Sequence, residues 1–172
     1  MSCGRRRIGF ALRVLRLLEP GLHTLHVERH YGIEPLLAKS WEFEESDNTW
    51  TFHLRENVQF HDGTPFNADA VVFSLMRQKD PAHPYAVANA ASWKSSFSQV
   101  EEIRKIDDTT VSIKLSSSYA PFLSLMANNL AMIISPAAMQ KSGADGFNLD
   151  PVGTGPYRLE EWKKNEQVVL KE

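Results

Sequence analysis

The chain has 172 residues, 42% of them hydrophobic and 23% charged, and a formal net charge of -2. This length gives one domain, or one and a fraction, with enough chain for a core, and the composition excludes collagen-like and wholly disordered polymers. No apolar run approaches the roughly 18 residues of a membrane span, and the single cysteine, Cys3, can make neither an internal disulfide nor a cysteine-based zinc site.

The charge is uneven. Residues 1–30 carry six arginines against Glu19 and Glu28, a balance of +4 that leaves -6 for the remainder. Arg13 and Arg16 interrupt the apolar residues between Ile8 and Leu18, so a secretory signal peptide fits poorly, and only two residues precede Cys3, too few for a lipoprotein leader. Read as a helix, the segment is basic and amphipathic, of the kind that meets a membrane surface or nucleic acid; an unpartnered terminus is the plainer expectation. His23, His26 and His30 follow at helical spacing, which would put three imidazoles on one face and offers a metal-binding alternative to a chance cluster.

From Ile33 onward the pattern is regular. Trp41, Phe43, Trp50, Phe52 and Leu54 alternate with polar residues around Ser46-Asp47-Asn48, predicting a hairpin with strands near Trp41 to Glu44 and Thr49 to Arg55. Asp62-Gly63 and Thr64-Pro65 predict a turn, and Asn67 an N-cap for a helix to about Lys79 with a stripe of Ala68, Val72, Leu75 and Met76. Asp80-Pro81 and His83-Pro84 end it. A second hairpin is expected from Val100, Ile103 and Ile106 through Asp107-Asp108 to Val111, Ile113 and Leu115. Then come a short helix over 120–127 entered through Pro121, a buried strand over 131–134, a helix over 136–141, and a strand pair at 157–162 and 167–171. Strand pairs mixed with separate helices predict a mixed α/β (α+β) fold.

Nothing assembles a catalytic site. His61 and Asp62 are adjacent on an extended segment and point apart, so they are not a dyad by proximity. His53 falls on the polar face of its strand. Gly153-Thr154-Gly155-Pro156 lacks the lysine of a phosphate loop, and Pro156 removes an amide donor. An enzyme is therefore the weaker class, and no cofactor is implied.

The blocks Ile33 to Glu42, Thr49 to Arg55, Phe60 to Phe66, Ala70 to Leu75, Lys105 to Val111, Ala120 to Leu123 and Pro151 to Tyr157 together resemble the extracytoplasmic solute-binding proteins of peptide and nickel ABC importers, extracellular solute-binding protein family 5. Phe73-Ser74, Arg77-Gln78-Lys79 and Pro84-Tyr85 are most similar to the dipeptide-binding branch. The resemblance covers about the last four fifths of the chain and implies a two-lobed type II periplasmic binding protein, in which hinge closure traps a solute for a membrane permease. It implies residues 33–172 to be part of the first lobe, with the second lobe outside this chain and residues 1–32 a divergent basic segment. A truncated or frame-disturbed reading at both ends is expected to account for this and for the missing export signal. A periplasmic or extracytoplasmic site follows from the resemblance alone.

The same resemblance places Asn128, Asn129 and Met132 at a strand entry bordering the cleft, and Tyr85 and Trp93 in a region that borders it in some relatives. Gly153, Thr154, Gly155 and Pro156 would serve the crossing between lobes, with glycine supplying the backbone angles. The implied partners are a short peptide or another small solute, nickel included, and ABC permease subunits, with membrane contact through the permease only and no nucleic acid. A half receptor that keeps its fold but does not bind, acting as a remnant or interaction domain, is the competing class. A metal or nucleic-acid role for the basic start is the third.

Overall fold

In the computed structural model, which describes residues 6–8, 25–27, 33–163 and 166–172, the chain runs through β1 (Arg6–Ile8), β2 (Leu25–Val27), β3 (Ile33–Pro35), β4 (Ala38–Glu44) and β5 (Thr49–Leu54). It continues through α1 (Ala68–Lys79), α2 (Ala91–Ser96), β6 (Val100–Asp107), β7 (Thr110–Leu115), α3 (Phe122–Met126), a 3-10 turn (Asn129–Ala131), α4 (Pro136–Leu149), β8 (Arg158–Lys163) and β9 (Gln167–Lys171). The architecture is mixed α/β.

Period-two alternation builds the main antiparallel sheet, ordered β4-β5-β7-β6, from two hairpins laid edge to edge. Asn48, at φ 57, makes the turn between β4 and β5, and Asp47 accepts the Thr49 amide. Phe52 pairs with Trp41 on one side and Val111 on the other. The inner face of Phe52, Leu54, Val111, Ile113 and Leu115 meets Phe122 and Met126 of α3 and the buried side of α1. Burying each such side chain is worth about 1.5–3 kcal/mol.

Helix α1 starts where Asn67 accepts the Ala70 amide at 3.1 Å, and Arg77 and Lys79 in its last turn complement its C-terminal dipole. Its buried residues are Ala68, Ala70, Val71, Ser74 and Leu75, whereas Val72 and Met76 are only partly covered. The inner face is thus turned by about one residue from the expected stripe, with Ala68 and Ala70 among its buried residues.

Ile106, the last apolar residue of the expected strand, is 57% exposed, because the β6–β7 register shifts between Lys105 and Asp107 and turns the extra residue outward. The stretch 131–134 is buried, with Ala131 and Ile133 at 0% exposure, but it joins none of the three sheets. It leaves the 3-10 turn extended, with a single bridge residue at Met132, and is fastened by side chains of α1. The helix expected at 136–141 is the first part of α4, which kinks at Gly143 (φ 67) and resumes to Leu149.

Strands β8 and β9 form the closing hairpin as expected, and β1 pairs with β9 to give a sheet ordered β1-β9-β8. The short β2 pairs with β3. Both β1 and β2 lie within the basic N-terminal segment; the rest of that segment, including Cys3 and the proposed amphipathic helix at Leu12 to Leu18, lies outside the described residues.

Candidate functional site

Helix α1 carries a polar residue on its buried face, Ser74, and this residue begins a polar seam. Its Oγ donates to Ala70 O at 2.7 Å and accepts the Ile134 amide at 3.0 Å. One turn later, on the same face, Gln78 Nε2 donates to Leu130 O at 2.8 Å. Residues 130–134 are therefore fastened to α1 at two points.

Ser135 extends the seam. It is completely buried, accepts the Ala138 amide as N-cap of α4, and donates to Asp62 Oδ2 at 2.5 Å. Pro136 follows at the first helical position, where a missing amide costs nothing. Asp62 Oδ1 accepts the Thr64 amide at 2.9 Å and the Thr64 hydroxyl at 2.5 Å. Partial burial of the carboxylate disfavours its charge, but the hydrogen bonds from Ser135 and Thr64 outweigh this and hold the Asp62 pKa below its ordinary value. Gly63, at φ 80, makes the turn that brings these groups round.

His61 and Asp62 lie in a turn and not on the extended segment expected, and their side chains take different partners, Gly155 O and Ser135. The His61 amide donates to Gly153 O at 2.9 Å, and its Nε2 lies 2.7 Å from Gly155 O. A carbonyl only accepts, so Nε2 carries the proton; Nδ1 is buried without a partner among the described residues. Neither Gly153 nor Gly155 has a positive φ, so the backbone freedom expected of them is not what this segment uses. What it supplies is carbonyl oxygens, which receive His61 and, at Val152, the Ser135 amide at 3.3 Å. Thr154 is half-buried and Pro156 exposed at the end of the same segment.

The C-terminal end of α1 holds a second loop. Arg77 Nε donates to Tyr85 O at 3.3 Å, and Arg77 O accepts the Val87 amide at 2.9 Å. His83 Nδ1 accepts the Tyr85 amide at 3.1 Å. Phe73 lies 5.0 Å from the His83 ring, nearly perpendicular, and 5.8 Å from the Tyr85 ring. Partial burial pulls the Arg77 pKa down, and among the described residues no carboxylate lies within ion-pair distance of it.

The sequence candidates divide accordingly. Asn128 and Asn129 are exposed on the 3-10 turn, where Asn128 Oδ1 accepts the Leu130 amide, and Met132 is half-buried at its exit. Tyr85 is half-buried in the loop that Arg77 ties down. Neighbouring residues Arg77 and Gln78 therefore hold one group of candidates each. Trp93 does not join them: it is 3% exposed and stacks on Phe97 at 5.0 Å, so the loop position read as cleft-lining is a core position. His26 sits in extended β2, which breaks the helical phase that would align it with His23 and His30; those two lie outside the described residues. Among the described residues there is no group of three or more His, Cys, Asp or Glu placed to hold a metal, and no helix is long and apolar enough to cross a membrane.

Ser74, Arg77 and Gln78 enter the sequence reading only as family-like blocks and Asp62 only as a rejected dyad partner, and Ser135 is not named; none is given a positioning role. A serine facing an otherwise apolar helix stripe, and a Ser-Pro pair opening a helix, are the signals that point to Ser74 and Ser135. Gln78 and Arg77 carry no such local signal.

The fold is that of part of a periplasmic binding protein. A family profile described as bacterial extracellular solute-binding proteins, family 5 Middle, matches residues 32–172, and the chain belongs to that family. It is a family of binding proteins, not enzymes. The chain is 38% identical over 152 residues to the dipeptide-binding protein of Escherichia coli (strain K12), covering 80% of this chain and 28% of that one. It is 36% identical over 146 residues to the glutathione-binding protein GsiB of the same strain, covering 84% and 27%. Among solved structures, the periplasmic binding protein DppA of Helicobacter pylori in complex with the peptide STSA superposes with a TM-score of 0.81 at 25% identity, over 99% of this chain and 38% of that one. The chain thus spans less than a third of the length of these two curated relatives.

Proposed function

We propose that this chain forms part of the first lobe of a receptor that captures short peptides outside the cytoplasm for an ABC importer. The observation that carries this reading is the convergence on one end of α1 of the Asn128–Met132 turn and the Tyr85 loop, both fixed by hydrogen bonds to helix residues. Exposed amides and an aromatic ring held on a rigid support suit a peptide backbone and side chain, and a preorganised surface loses little entropy on binding. The names of the dipeptide-binding and glutathione-binding relatives support a peptide-sized solute. Residues 153–156 then serve as the crossing toward a second lobe, held in place by His61, and closure follows when a solute touches both lobes. ABC permease subunits are the partners that receive the solute.

Isothermal titration of the 172-residue chain with a mixture of dipeptides tests the reading, and saturable heat is expected. A chain that folds by circular dichroism yet gives no heat replaces capture with the non-binding module, a reading favoured by the small share of each relative that the chain spans.

A further inference from the structure

We infer that His61 is a positioning residue for the crossing between lobes, holding residues 153–156 in a fixed place relative to the stretch that carries Asn128–Met132; this rests on the reading of 153–156 as that crossing. The support is a turn closed by its own bonds. Gln59 and Pro65 bridge across it, and Thr64 O accepts the Phe60 amide and Phe60 O the Gly63 amide, both at 2.9 Å. Phe60 and Phe66 anchor its two ends in the core, with their rings edge to face at 6.1 Å. Between these anchors, neighbouring residues serve different segments. Asp62 accepts from Ser135, where the stretch from Leu130 enters α4, and His61 reaches the crossing.

Gly153 and Gly155 leave the crossing many backbone states, so bonds from outside are needed to select one of them. His61 supplies two. Its amide, a donor that any residue but proline offers, gives to Gly153 O at 2.9 Å, and its ring gives to Gly155 O, two residues on, at 2.7 Å. Only the second bond depends on the side chain, and only the tautomer with the proton on Nε2 makes it. That form leaves Nδ1 as a buried acceptor without a donor among the described residues, which costs stability. A ring placed here for packing alone would have no use for that nitrogen. The donor at Nε2 accounts for the imidazole, and a glutamine, whose amide N–H reaches a similar position without a second ring nitrogen, should serve in its place.

The test compares the 172-residue chain with its His61→Gln and His61→Leu variants. Long-range ¹H–¹⁵N spectra of the unaltered chain are expected to show the neutral ring protonated at Nε2. In His61→Leu the backbone order parameters at Gly153, Thr154 and Gly155 should fall from about 0.85 to below about 0.6, with Phe52 and Val111 still rigid. The Gly155 carbonyl resonance should shift with them, and His61→Gln should restore both. Residues 153–155 equally rigid in all three chains, or loosening that reaches Phe52 and Val111 alike, overturns the inference. His61→Gln as loose as His61→Leu assigns the effect to the bulk of the ring and overturns it too. Calorimetry with Ala-Leu separates this outcome from that of the reading beneath it. Saturable heat from the unaltered chain, with 153–155 unmoved in His61→Leu, leaves capture standing without the positioning role. Loosening confined to 153–155, with no heat from any of the three chains, upholds the positioning role and removes capture by this chain. If His61→Leu fails to fold, the unaltered chain and His61→Gln decide: a ring protonated at Nδ1 overturns the inference, and Nε2–H with an unmoved Gly155 carbonyl in His61→Gln upholds it.

Discussion

The main sheet and the polar seam are held by different forces. The sheet side is apolar: Phe52, Leu54, Ile113, Leu115, Phe122 and Leu75 are each almost completely buried, and their contribution is spread over many contacts. In the seam Ala131, Ile133, Ile134 and Ser135 are buried as well, yet these residues belong to none of the described sheets. Its shape depends on a few directional bonds from Ser74, Gln78, Asp62 and Ser135. The difference teaches that stability and placement are separable here. The sheet side makes the lobe fold, and the seam decides where the candidate solute-contacting turns stand.

The largest effect is expected where the apolar side is opened. Phe52→Ala removes a ring that packs 6.4 Å from that of Phe122 and 6.3 Å from that of Trp50. A loss of about 3–5 kcal/mol is expected from urea unfolding, a large part of the total stability of a small domain. A loss below about 1 kcal/mol would mean that the seam, not the sheet, dominates the stability of the lobe.

Ser135→Ala attacks the seam. It removes the cap of α4 and the hydroxyl donor to Asp62, and about 1–3 kcal/mol is expected by the same measurement. The informative readout is amide exchange: faster exchange at Ile134 and Ala138, with the sheet amides unchanged, would separate placement from folding. Uniform acceleration across β5 and β7 would merge the two regions into one unit.

The carboxylate in the seam adds a pH dependence with a defined sign. Asp62 has a folded-state pKa below its ordinary value of 3.8, so its contribution is fully present above that value and is lost as pH falls through the lower, folded value. Asp62→Asn should therefore narrow its stability deficit against the unaltered chain only below about pH 4. Urea midpoints at pH 7 and at pH 3 check this. A deficit that instead narrows between pH 8 and pH 6 would assign the effect to a histidine.

How much of this was legible in the sequence follows from the range of the interactions. The hairpins could be read because alternation around Ser46-Asp47-Asn48 and Asp107-Asp108 is local, and α1 because Asn67 and Pro81 lie next to its ends. The strand expected at 131–134 is reduced to one bridge residue, Met132, outside the described sheets, because apolar runs report burial while the ladder partner is supplied by other parts of the chain. Its bonds to Ser74 and Gln78 span 60 and 52 residues. Trp93 misled although its stacking partner Phe97 is only four residues on, because that local pair does not show that both rings enter the core. The Asn128–Met132 turn and Tyr85 were named through family resemblance, but what holds them, Arg77 and Gln78, could be seen only in the fold.

Asn67→Ala is a smaller perturbation on the sheet side. It removes one cap bond at the exposed start of α1, and about 1 kcal/mol is expected from thermal or urea unfolding. The Arg77 and Gln78 contacts at the other end should persist, because a lost cap frays a first turn and not a last one. Loss of solute binding in this variant would show that the helix moves as one body and that cap and seam are coupled.

The smallest effect is expected at Ile106, and it bears directly on the comparison. Ile106 follows Val100 and Ile103 on the same strand, and both of those are buried, whereas the register shift beside it turns its side chain out to 57% exposure. The neighbouring Lys105 makes ion pairs with Asp69 and Asp108, at 2.8 and 2.6 Å. Exposed pairs of this kind contribute little, so the bulge is kept by the geometry of the hairpin and not by the charges. Ile106→Ser should then change stability by no more than about 0.5 kcal/mol. A loss of about 2 kcal/mol or more, the cost of emptying a buried position, would mean that Ile106 is covered in solution and that the apolar side of the lobe extends past the bulge.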